Sequence, residues 1–399
     1  MSRHIKKIFN VATILIAWFY LHIFQRHLLK EDIWIIREKK NEARDNGYHF
    51  FRYLKEKHPQ INSYYVITSS SPDLHKVLRY GNVIKADSFQ HCVYYLASRY
   101  NISSQPFGAF PFIFSNKELM HIGKLCNRKQ KTIFLQHGIT KDNLSHDFIY
   151  KKCNIDYFVC SAEKEYEFVK RTYEYPDEAI GLVGLARFDE LHKPNKKENI
   201  ILIMPTWRRW LSCASTNNIP TQHEKNNFET SKFYQEYANL LSDKEIIDLL
   251  HKEQYQIVFY LHYKIQGYTD LFKKFDNHVV KIATKEEYDV QELLTKSKVL
   301  ITDYSSVYFD FAYMNKPLMY FQFDKEEFNK LHYAKGYFSY ENDGFGPCCT
   351  DNRALKEELK KILAEDCKQS QKYEERVNSF FGLRDTHNCE RIYQAICKL

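Results

Sequence analysis

The chain has 399 residues, of which 44% are hydrophobic and 27% charged, and its formal net charge is +8. This length exceeds what one hydrophobic core usually organises, so the sequence predicts two domains and excludes a largely disordered chain. The positive charge favours an anionic partner, but zinc-finger spacing, an RNP-like run and a long basic arm are all missing, which argues against nucleic acid. Ten cysteines without a CxxC pair indicate reduced thiols in a cytoplasm.

A nearly unbroken apolar run extends from Ile8 to Phe24, with basic residues on both sides. It is slightly short for a bilayer span of about 20 residues, and it lacks the small residues of a signal-peptide cleavage site. One interpretation is a buried core helix. The basic flanks and the aromatic residues favour another, a helix that lies on or dips into the anionic surface at the cytoplasmic face of a membrane. Residues 1–30 are therefore predicted to be a membrane-associating segment.

Short apolar runs then alternate with amphipathic stretches, a pattern typical of βα units around parallel sheets. In the first half, strands are predicted at 33–36, 64–68, 132–135 and 157–160, and helices at 48–57, 88–98 and 162–173, the last capped by Ser161. A polar stretch with a proline at 192–199 is typical of a linker. In the second half, strands are predicted at 200–204, 257–261, 279–282, 299–302 and 317–321, with 212–230 as a surface loop.

These two series predict an α/β protein of two Rossmann-like domains that face a cleft, the glycosyltransferase-B (GT-B) architecture, preceded by the N-terminal apolar helix. Residues 31–192 are assigned to the N-terminal domain, 199–380 to the C-terminal domain and 381–399 to a C-terminal tail helix. Open α/β sheets bind ligands beyond the carboxyl ends of their strands. Polar residues that directly follow the strands are therefore the candidates for chemistry.

Two histidines follow predicted strands. His137 lies after the strand at 132–135, where a neutral imidazole is suited by its pKa to accept a proton from an attacking hydroxyl. The alternative for such a histidine is a satisfied turn residue. His262 follows the strand at 257–261, and it can donate to a phosphate when protonated or simply fill the strand end.

Two arginines offer donors to phosphate oxygens. Arg208 follows the strand at 200–204, and its guanidinium can direct two parallel hydrogen bonds at a phosphate. The alternative is a surface arginine beside the packed Trp207. Arg187 is similar, with Asp189 as its expected internal partner.

The segment Thr302–Ser306 (TDYSS) is the most informative motif. A buried strand leads into two serines that open a helix, so backbone N–H groups, serine hydroxyls and the positive end of the helix dipole converge. That arrangement suits a pyrophosphate, although Ser305 as a simple helix cap is the plainer alternative. Asp303 would place a negative charge near the phosphate, so it is assigned to orienting the loop. Dinucleotide, P-loop and zincin motifs are missing from the sequence.

With these motifs, the chain resembles the CDP-glycerol:poly(glycerophosphate) glycerophosphotransferase family, whose members build teichoic acids and related capsule polymers. The resemblance runs from the His137 segment through Arg187, Arg208 and His262 to TDYSS, and continues through Lys316-Pro317, Phe323-Asp324, Lys335–Phe338 and Gly346-Pro347. One departure is Gln136–Lys141 (QHGITK), where many members have a tryptophan before the histidine and a proline two residues before the lysine.

The resemblance implies transfer of a polyol phosphate from CDP-glycerol or CDP-ribitol to a hydroxyl of a surface polymer or its lipid-linked precursor, with release of CMP. It implies that His137 acts as the base, that His262 is catalytic, and that the donor is bound by Arg187, Thr206, Arg208, Thr302, Asp303, Ser305 and Ser306. Lys141, Asp45 and Asn46 are assigned to the acceptor side. No cofactor beyond the donor is expected, and a Mg²⁺ requirement stays open because no carboxylate cluster of suitable character is found.

Two other functions are compatible with the sequence. A GT-B glycosyltransferase that uses a nucleotide sugar would share the fold, and a fold alone does not fix a function. A non-catalytic polymer-binding protein would tolerate the loss of His137 without loss of function.

Overall fold

The computed structural model describes residues 3–112, 114–127, 129–193, 197–213, 219–331 and 335–399. The chain forms two compact units. The first contains Met1–Ile139, Leu144–Glu190 and Asp385–Leu399, and the second contains Thr140–Asn143 and Leu191–Arg384. The polypeptide therefore passes from one unit to the other four times.

Each unit is built around one sheet whose neighbouring strands are all parallel. The strand order is β3-β2-β1-β4-β5-β6-β7 in the first unit and β10-β9-β8-β11-β12-β13 in the second. The strands are β1 (Ile33–Arg37), β2 (Asn62–Ile67), β3 (Val83–Lys85), β4 (Tyr100–Ser103), β5 (Lys131–Phe134), β6 (Tyr157–Cys160), β7 (Ile180–Leu182), β8 (Ile200–Met204), β9 (Gln256–Tyr260), β10 (Val280–Ala283), β11 (Val299–Thr302), β12 (Leu318–Phe321) and β13 (Cys348–Cys349).

Helices connect successive strands, as parallel pairing requires. They are α1 (Arg3–Phe24), α2 (Asn46–Lys57), α3 (Leu74–Leu78), α4 (Phe89–Ala97), α5 (Asn116–Cys126), α6 (Ser145–Phe148), α7 (Glu163–Thr172), α8 (Phe188–Leu191), α9 (Gln222–Glu229), α10 (Lys232–Ser242), α11 (Lys244–Lys252), α12 (Val290–Lys296), α13 (Val307–Tyr313), α14 (Lys325–Leu331), α15 (Tyr340–Asp343), α16 (Asn352–Ala364), α17 (Gln371–Phe380) and α18 (Asn388–Cys397). Short 3₁₀ turns, among them Tyr263–Leu271 after β9, complete the connections.

The predicted strands are all confirmed, with ends that shift by no more than two residues. Their burial explains why: β1, β4, β6, β8, β11 and β12 are buried along their whole length, and strands covered on both faces read as continuous apolar runs. The predicted helices at 48–57, 88–98 and 162–173 correspond to α2, α4 and α7.

Two local predictions were wrong. Ser161 does not cap α7, because Ala162 occupies the N-cap position and the Ser161 backbone N–H donates to the Glu165 carboxylate instead. The stretch 212–230, predicted as a loop, contains α9, whose start carries a reciprocal capping box between Thr221 and Glu224. Residues 214–218 of that stretch, and residues 194–196 of the predicted linker, lie outside the described residues.

The N-terminal helix α1 is long and apolar enough to cross a membrane, judged by length and composition only. One face of it, with Ile14, Ala17 and Leu21, is buried in a core shared with α4 and β1. In the described part of the chain, nine large hydrophobic side chains of α1 are exposed: Ile5, Ile8, Phe9, Leu15, Ile16, Phe19, Tyr20, Ile23 and Phe24. The helix thus has a packed face and an apolar face that the first unit leaves uncovered.

Helix α18 is part of the first unit, although the sequence assigned residues 381–399 to a separate tail. The Asp189 carboxylate accepts hydrogen bonds from the backbone N–H groups of Asn388 and Cys389, at 2.8 and 2.9 Å, and so holds the start of the helix. The Tyr393 ring stacks on His58 at 3.8 Å and lies 6.0 Å from Trp34 of β1. Residues from three distant parts of the sequence therefore complete this unit.

Each sheet has one point where the strand order reverses. In the first unit this point lies between β1 and β4, and in the second unit between β8 and β11. Doubly wound sheets bind ligands outside the carboxyl ends of the strands at such a reversal. The segments that follow β1, β4 and β5, and those that follow β8, β9, β11 and β12, are the places to look for a site.

Candidate active site

His137 lies beyond the carboxyl end of β5, beside the reversal point of the first sheet. Strand β5 pairs with β4, and β4 pairs with β1, so the ends of three adjacent strands meet there. The backbone of Ser104, directly after β4, is close enough to the imidazole to affect its pKa. The residue itself remains exposed, which allows the ring to meet a ligand.

The surroundings of His137 favour its neutral form. Desolvation by the surrounding protein lowers the pKa of His137 below its ordinary value of 6.5, and the cations of Arg187 and Lys39 add to the effect. Asp45 and the Ser104 carbonyl act in the opposite direction. A neutral imidazole is the form that can accept a proton, so the ring is available as a general base at neutral pH.

Arg187 lies in the first unit, and its partner is Asp45 rather than the expected Asp189. The Arg187 Nη1 atom is 2.8 Å from the Asp45 Oδ1 atom. Asp189 could not serve because it caps α18. Asp45 itself begins α2, where its carboxylate accepts from the Asn46 N–H. The pair places one cation and one anion close enough to His137 to affect its pKa.

Asn46 and Glu38 are buried supports of this strand end. Asn46 was assigned to the acceptor side, but its side chain is completely buried and bonds to the backbone of Leu135, Gln136 and Arg187, so it supports the strand end from inside the protein. Glu38, which the sequence analysis missed, follows β1 and accepts hydrogen bonds from the N–H groups of Arg44, Asp45 and Tyr48. Burial, reinforced by the Asp45 charge, raises the pKa of Glu38 to about 8. The sequence signal that could have identified Glu38 is an acidic residue directly after the apolar run of β1 and shortly before a helix.

Lys141 lies in the short segment Thr140–Asn143, which belongs to the second unit. Its side chain is buried, its Nζ atom is 2.6 Å from the Asp142 carboxylate, and it lies over the Tyr340 ring. The segment packs directly against Gly336, where an added Cβ would come within 2.0 Å of the Lys141 carbonyl oxygen. Lys141 is therefore held inside the second unit, next to the Lys335–Phe338 motif.

Arg208 is neither the phosphate ligand nor the surface residue that the sequence predicted. It is completely buried, and its Nε and Nη2 atoms donate to both oxygens of Asp324, at 2.6 and 3.0 Å. Its Nη1 atom donates to the Thr206 carbonyl oxygen at 2.7 Å and lies 2.9 Å from Asp303 Oδ2. Three of its five N–H groups are therefore hydrogen-bonded inside the protein, and because the guanidinium has no exposed surface it lies where a phosphate does not reach it.

Asp303 joins the segments that follow β8 and β11. Its Oδ1 atom accepts from the backbone N–H groups of Thr206, at 2.8 Å, and Tyr304, at 2.5 Å. Asp324, which the sequence analysis did not propose as a site residue, also accepts from the Tyr304 hydroxyl at 3.1 Å. Burial opposes the charge of Arg208, but Asp303 and Asp324 outweigh that effect and raise its pKa.

Thr302 and Thr206 are likewise parts of this framework. The Thr302 hydroxyl is fully buried and donates to the Met204 carbonyl oxygen at 2.6 Å, so it links β11 to β8. It is therefore not placed to contact the CDP-linked substrate. Thr206 is nearly buried, and among the described residues its hydroxyl has no hydrogen-bond partner.

Ser305 and Ser306 stand at the start of α13 and are only half-buried. Ser306 occupies the N-cap position without a side-chain cap bond, and the Ser305 hydroxyl lies 3.5 Å from the Val307 N–H. Both hydroxyls therefore lie beside the first N–H groups of the helix, which carry partial positive charge. Of the residues in Thr302–Ser306, these two keep a surface that a ligand can reach.

His262 begins the 3₁₀ turn after β9. Its Nδ1 atom accepts a hydrogen bond from the Lys264 backbone N–H at 3.3 Å, which assigns the proton of a neutral ring to Nε2. The ring stacks at 6.3 Å on Trp207, and the Lys264 Nζ atom lies 3.8 Å from the centre of the Trp207 ring. The segments after β8 and β9 therefore support each other, and His262 can donate a hydrogen bond even when it is uncharged.

In the part of the chain that the structure describes, no three histidine, cysteine, aspartate or glutamate side chains are grouped so that they could hold a metal ion. The polar residues at the strand ends are a histidine with charged neighbours in the first unit. In the second unit they are two serines and a histidine, beside a buried ion network.

The sequence profile of the family described as CDP-Glycerol:Poly(glycerophosphate) glycerophosphotransferase matches residues 18–398. The chain belongs to this family. The match extends the resemblance beyond the segment from His137 to Pro347, to nearly the whole chain, and it includes β1, α2 and α18.

Two relatives of the chain are named for the synthesis of teichoic acid. The chain is 33% identical over 371 residues to the minor teichoic acid biosynthesis protein GgaB of Bacillus subtilis, covering 93% of this chain and 40% of GgaB. It is 25% identical over 355 residues to a teichoic acid poly(glycerol phosphate) polymerase of Staphylococcus epidermidis, covering 84% and 46%. The chain thus spans less than half the length of these two relatives.

The wall teichoic acid polymerase TagF has the same fold. Its structure matches with a TM-score of 0.67 at 19% identity, over 99% of this chain and 95% of that one. A variant of TagF soaked with CDPG matches with a TM-score of 0.64.

The Arg208 network yields a stability prediction. Replacing Arg208 with methionine leaves two carboxylates buried without their cation, so the free energy of unfolding should fall by about 3–5 kcal/mol. Urea denaturation without ligand measures the loss. The matched control is Arg209→Met, because Arg209 is exposed. Equal stability of the two variants would contradict the structural role assigned to Arg208.

Proposed function

We propose that this protein transfers glycerol phosphate, or a related polyol phosphate, from CDP-glycerol to a hydroxyl of a teichoic acid polymer. The observation that carries the proposal is the family match over residues 18–398, which includes every candidate residue in both units. Relatives named as teichoic acid polymerases, and a TagF structure soaked with CDPG, support the donor and the polymer class.

We assign the acceptor hydroxyl to the first unit and the donor to the second. His137 would remove the proton from the attacking hydroxyl, and its lowered pKa supports this role. The new bond forms between that oxygen and the β-phosphorus, while the bond from the β-phosphorus to the bridging oxygen breaks and CMP leaves with the electron pair. Such transfer depends mainly on positioning and on stabilising charge, not on an enzyme nucleophile.

In the second unit, Ser305, Ser306 and His262 are the residues that we propose to bind the donor phosphates. Their support is the half-buried position of the two serines at the start of α13 and the Nε2 proton of His262. Arg208, Asp303 and Thr302 are buried, so their proposed contribution is to hold the segments that carry these ligands.

The first test is turnover. Full-length protein with CDP-glycerol and a glycerol-phosphate oligomer should release CMP, and His137→Gln should reduce turnover about a hundredfold or more with little change in donor KM. Because the pKa of His137 is below its ordinary value, the acid limb of kcat/KM should lie below about pH 6.5. Release of UDP from UDP-sugars would support a glycosyltransferase instead. If the wild-type protein shows no turnover, and His137→Gln binds the polymer as well as the wild type does, the result would support a non-catalytic polymer-binding protein.

The second test concerns the donor phosphates. Replacing Ser305 or Ser306 with alanine removes one hydroxyl, worth roughly 1 kcal/mol, so calorimetric titration should show severalfold weaker binding of CDP-glycerol. CMP carries only one phosphate and should lose less affinity. Ser242→Ala, at an exposed position of the same unit, is the control. Equal losses for CMP and CDP-glycerol would argue against this placement of the donor.

We also propose that α1 lies along the cytoplasmic face of an anionic membrane, where a lipid-linked acceptor would be accessible. The support is the exposed apolar face of the helix, its basic flanks and the packing of its other face on α4. Because that face is occupied, the helix would lie in the interface rather than span the bilayer.

Vesicle flotation tests the membrane proposal. Replacing Ile8, Ile16 and Phe19 with serine removes exposed apolar surface without touching the packed face, so binding to phosphatidylglycerol-rich vesicles should fall at least about tenfold. Leu78→Ser is the control, since Leu78 is an exposed hydrophobic residue elsewhere in the first unit. Unchanged flotation of the triple variant would contradict the proposal.

A further inference from the structure

The residue before His137 has an unusual backbone conformation. Gln136 has a φ of +58°, in the left-handed region that residues other than glycine, asparagine and aspartate seldom adopt. Such a conformation persists only where the surrounding structure fixes it, and it is concentrated at functional sites. Gln136 is also the position where the sequence departs from the tryptophan of many family members.

The Gln136 side chain is fixed from the β6 side. It is buried, and its Nε2 atom donates to the Val159 carbonyl oxygen at 2.5 Å and to Glu165 Oε1 at 2.9 Å. Glu165 is itself completely buried, and its other oxygen accepts from the Ser161 backbone N–H at 2.8 Å. This explains why Ser161 is not a helix cap.

The backbone of the same turn is fixed from the α2 side. The Asn46 Nδ2 atom donates to the carbonyl oxygens of Gln136 and Leu135, at 2.7 and 3.3 Å. The Asn46 Oδ1 atom accepts from the Arg187 backbone N–H at 3.0 Å. One buried amide therefore ties the end of β5 to the segment that carries Arg187, the ion-pair partner of Asp45.

We propose that Asn46, Gln136 and Glu165 are positioning residues that hold His137 in one orientation as the base. The proposal rests on the proposed function. The three side chains fix the strained turn from two sides, while His137, the next residue, is exposed. None of the three reaches the reacting atoms, since each is buried within the first unit.

The charged groups that act on the ring give a readout besides activity. Asp45, Arg187 and Lys39 face the His137 ring together with the Ser104 carbonyl, and desolvation is the largest influence on its pKa. A ring released from this orientation is better hydrated, so its pKa should rise towards the ordinary value of about 6.5.

The test compares two glutamines at opposite ends of β5. Gln136→Met keeps the length of the side chain but removes its two donated bonds. Gln130→Met is the matched control, because the Gln130 Nε2 atom donates to the Tyr95 carbonyl oxygen at 2.6 Å before the same strand begins. The His137 pKa is measured by NMR with labelled histidine, assigned with His137→Gln, alongside kcat, donor KM and thermal unfolding.

We expect Gln136→Met to raise the His137 pKa and to lower kcat at least about tenfold with donor KM changed less than about twofold. Gln130→Met should leave both the pKa and kcat unchanged. Gln136→Gly, which accepts the left-handed backbone without strain, should fold stably and show the same two effects.

An unchanged His137 pKa in both Gln136 variants would overturn the proposal. So would a decrease in kcat that is fully explained by the fraction of unfolded protein in the thermal unfolding measurement. The NMR measurement needs no turnover. If the wild-type protein released no CMP, the proposed function would fail while the orientation of His137 could still be judged.

Discussion

A fully buried arginine between two carboxylates holds the second unit's candidate site together. Arg208 follows β8, Asp303 follows β11 and Asp324 follows β12, so the ion network joins the ends of three adjacent strands. Removing these charges from water is costly, and that cost is offset only when every donor finds an acceptor. The rings of Phe233, Tyr304 and Phe328 each lie 5.1 Å from the guanidinium carbon and exclude water from it. Because Tyr304 precedes Ser305 directly, the placement of both half-buried serines depends on this network.

The two units hold the polar residues at their strand ends in place by different interactions. Each brings polar residues to the point where the order of its parallel strands reverses, and each fixes them through buried side chains. In the second unit the fixing interactions are ionic. In the first they are amide hydrogen bonds from Asn46 and Gln136, with Glu38 accepting three N–H groups at the end of β1. The first arrangement leaves a neutral histidine accessible, and the second leaves hydroxyls at a helix start accessible.

The strands and most helices could be predicted because buried parallel strands are continuous apolar runs and their ends are marked by polar residues. The same reasoning predicted that His137, His262, Ser305 and Ser306 follow the ends of strands, where residues of neighbouring strands meet at one edge of a sheet. It failed for Arg208, because an arginine after a strand looks the same whether it faces solvent or two carboxylates about a hundred residues away. The Arg187–Asp45 pair joins positions 142 residues apart, and no local pattern contains it. The capping box at the start of α9 is visible in the sequence as Thr221 and Glu224, but the polar composition of the stretch favoured a loop instead.

The position of α18 in the first unit has a consequence for the order in which the protein folds during synthesis. Strands β1 to β7 are synthesised early. The Asp189 carboxylate and the ring of His58 can contact Asn388 and Tyr393 only after residues 385–399 have emerged from the ribosome. Residues 191–384, which form nearly all of the second unit, are made in the interval, and they can form their own sheet meanwhile. The first unit, which carries His137, is therefore the last to be completed, and in a nascent chain the surroundings of this histidine stay incomplete until then.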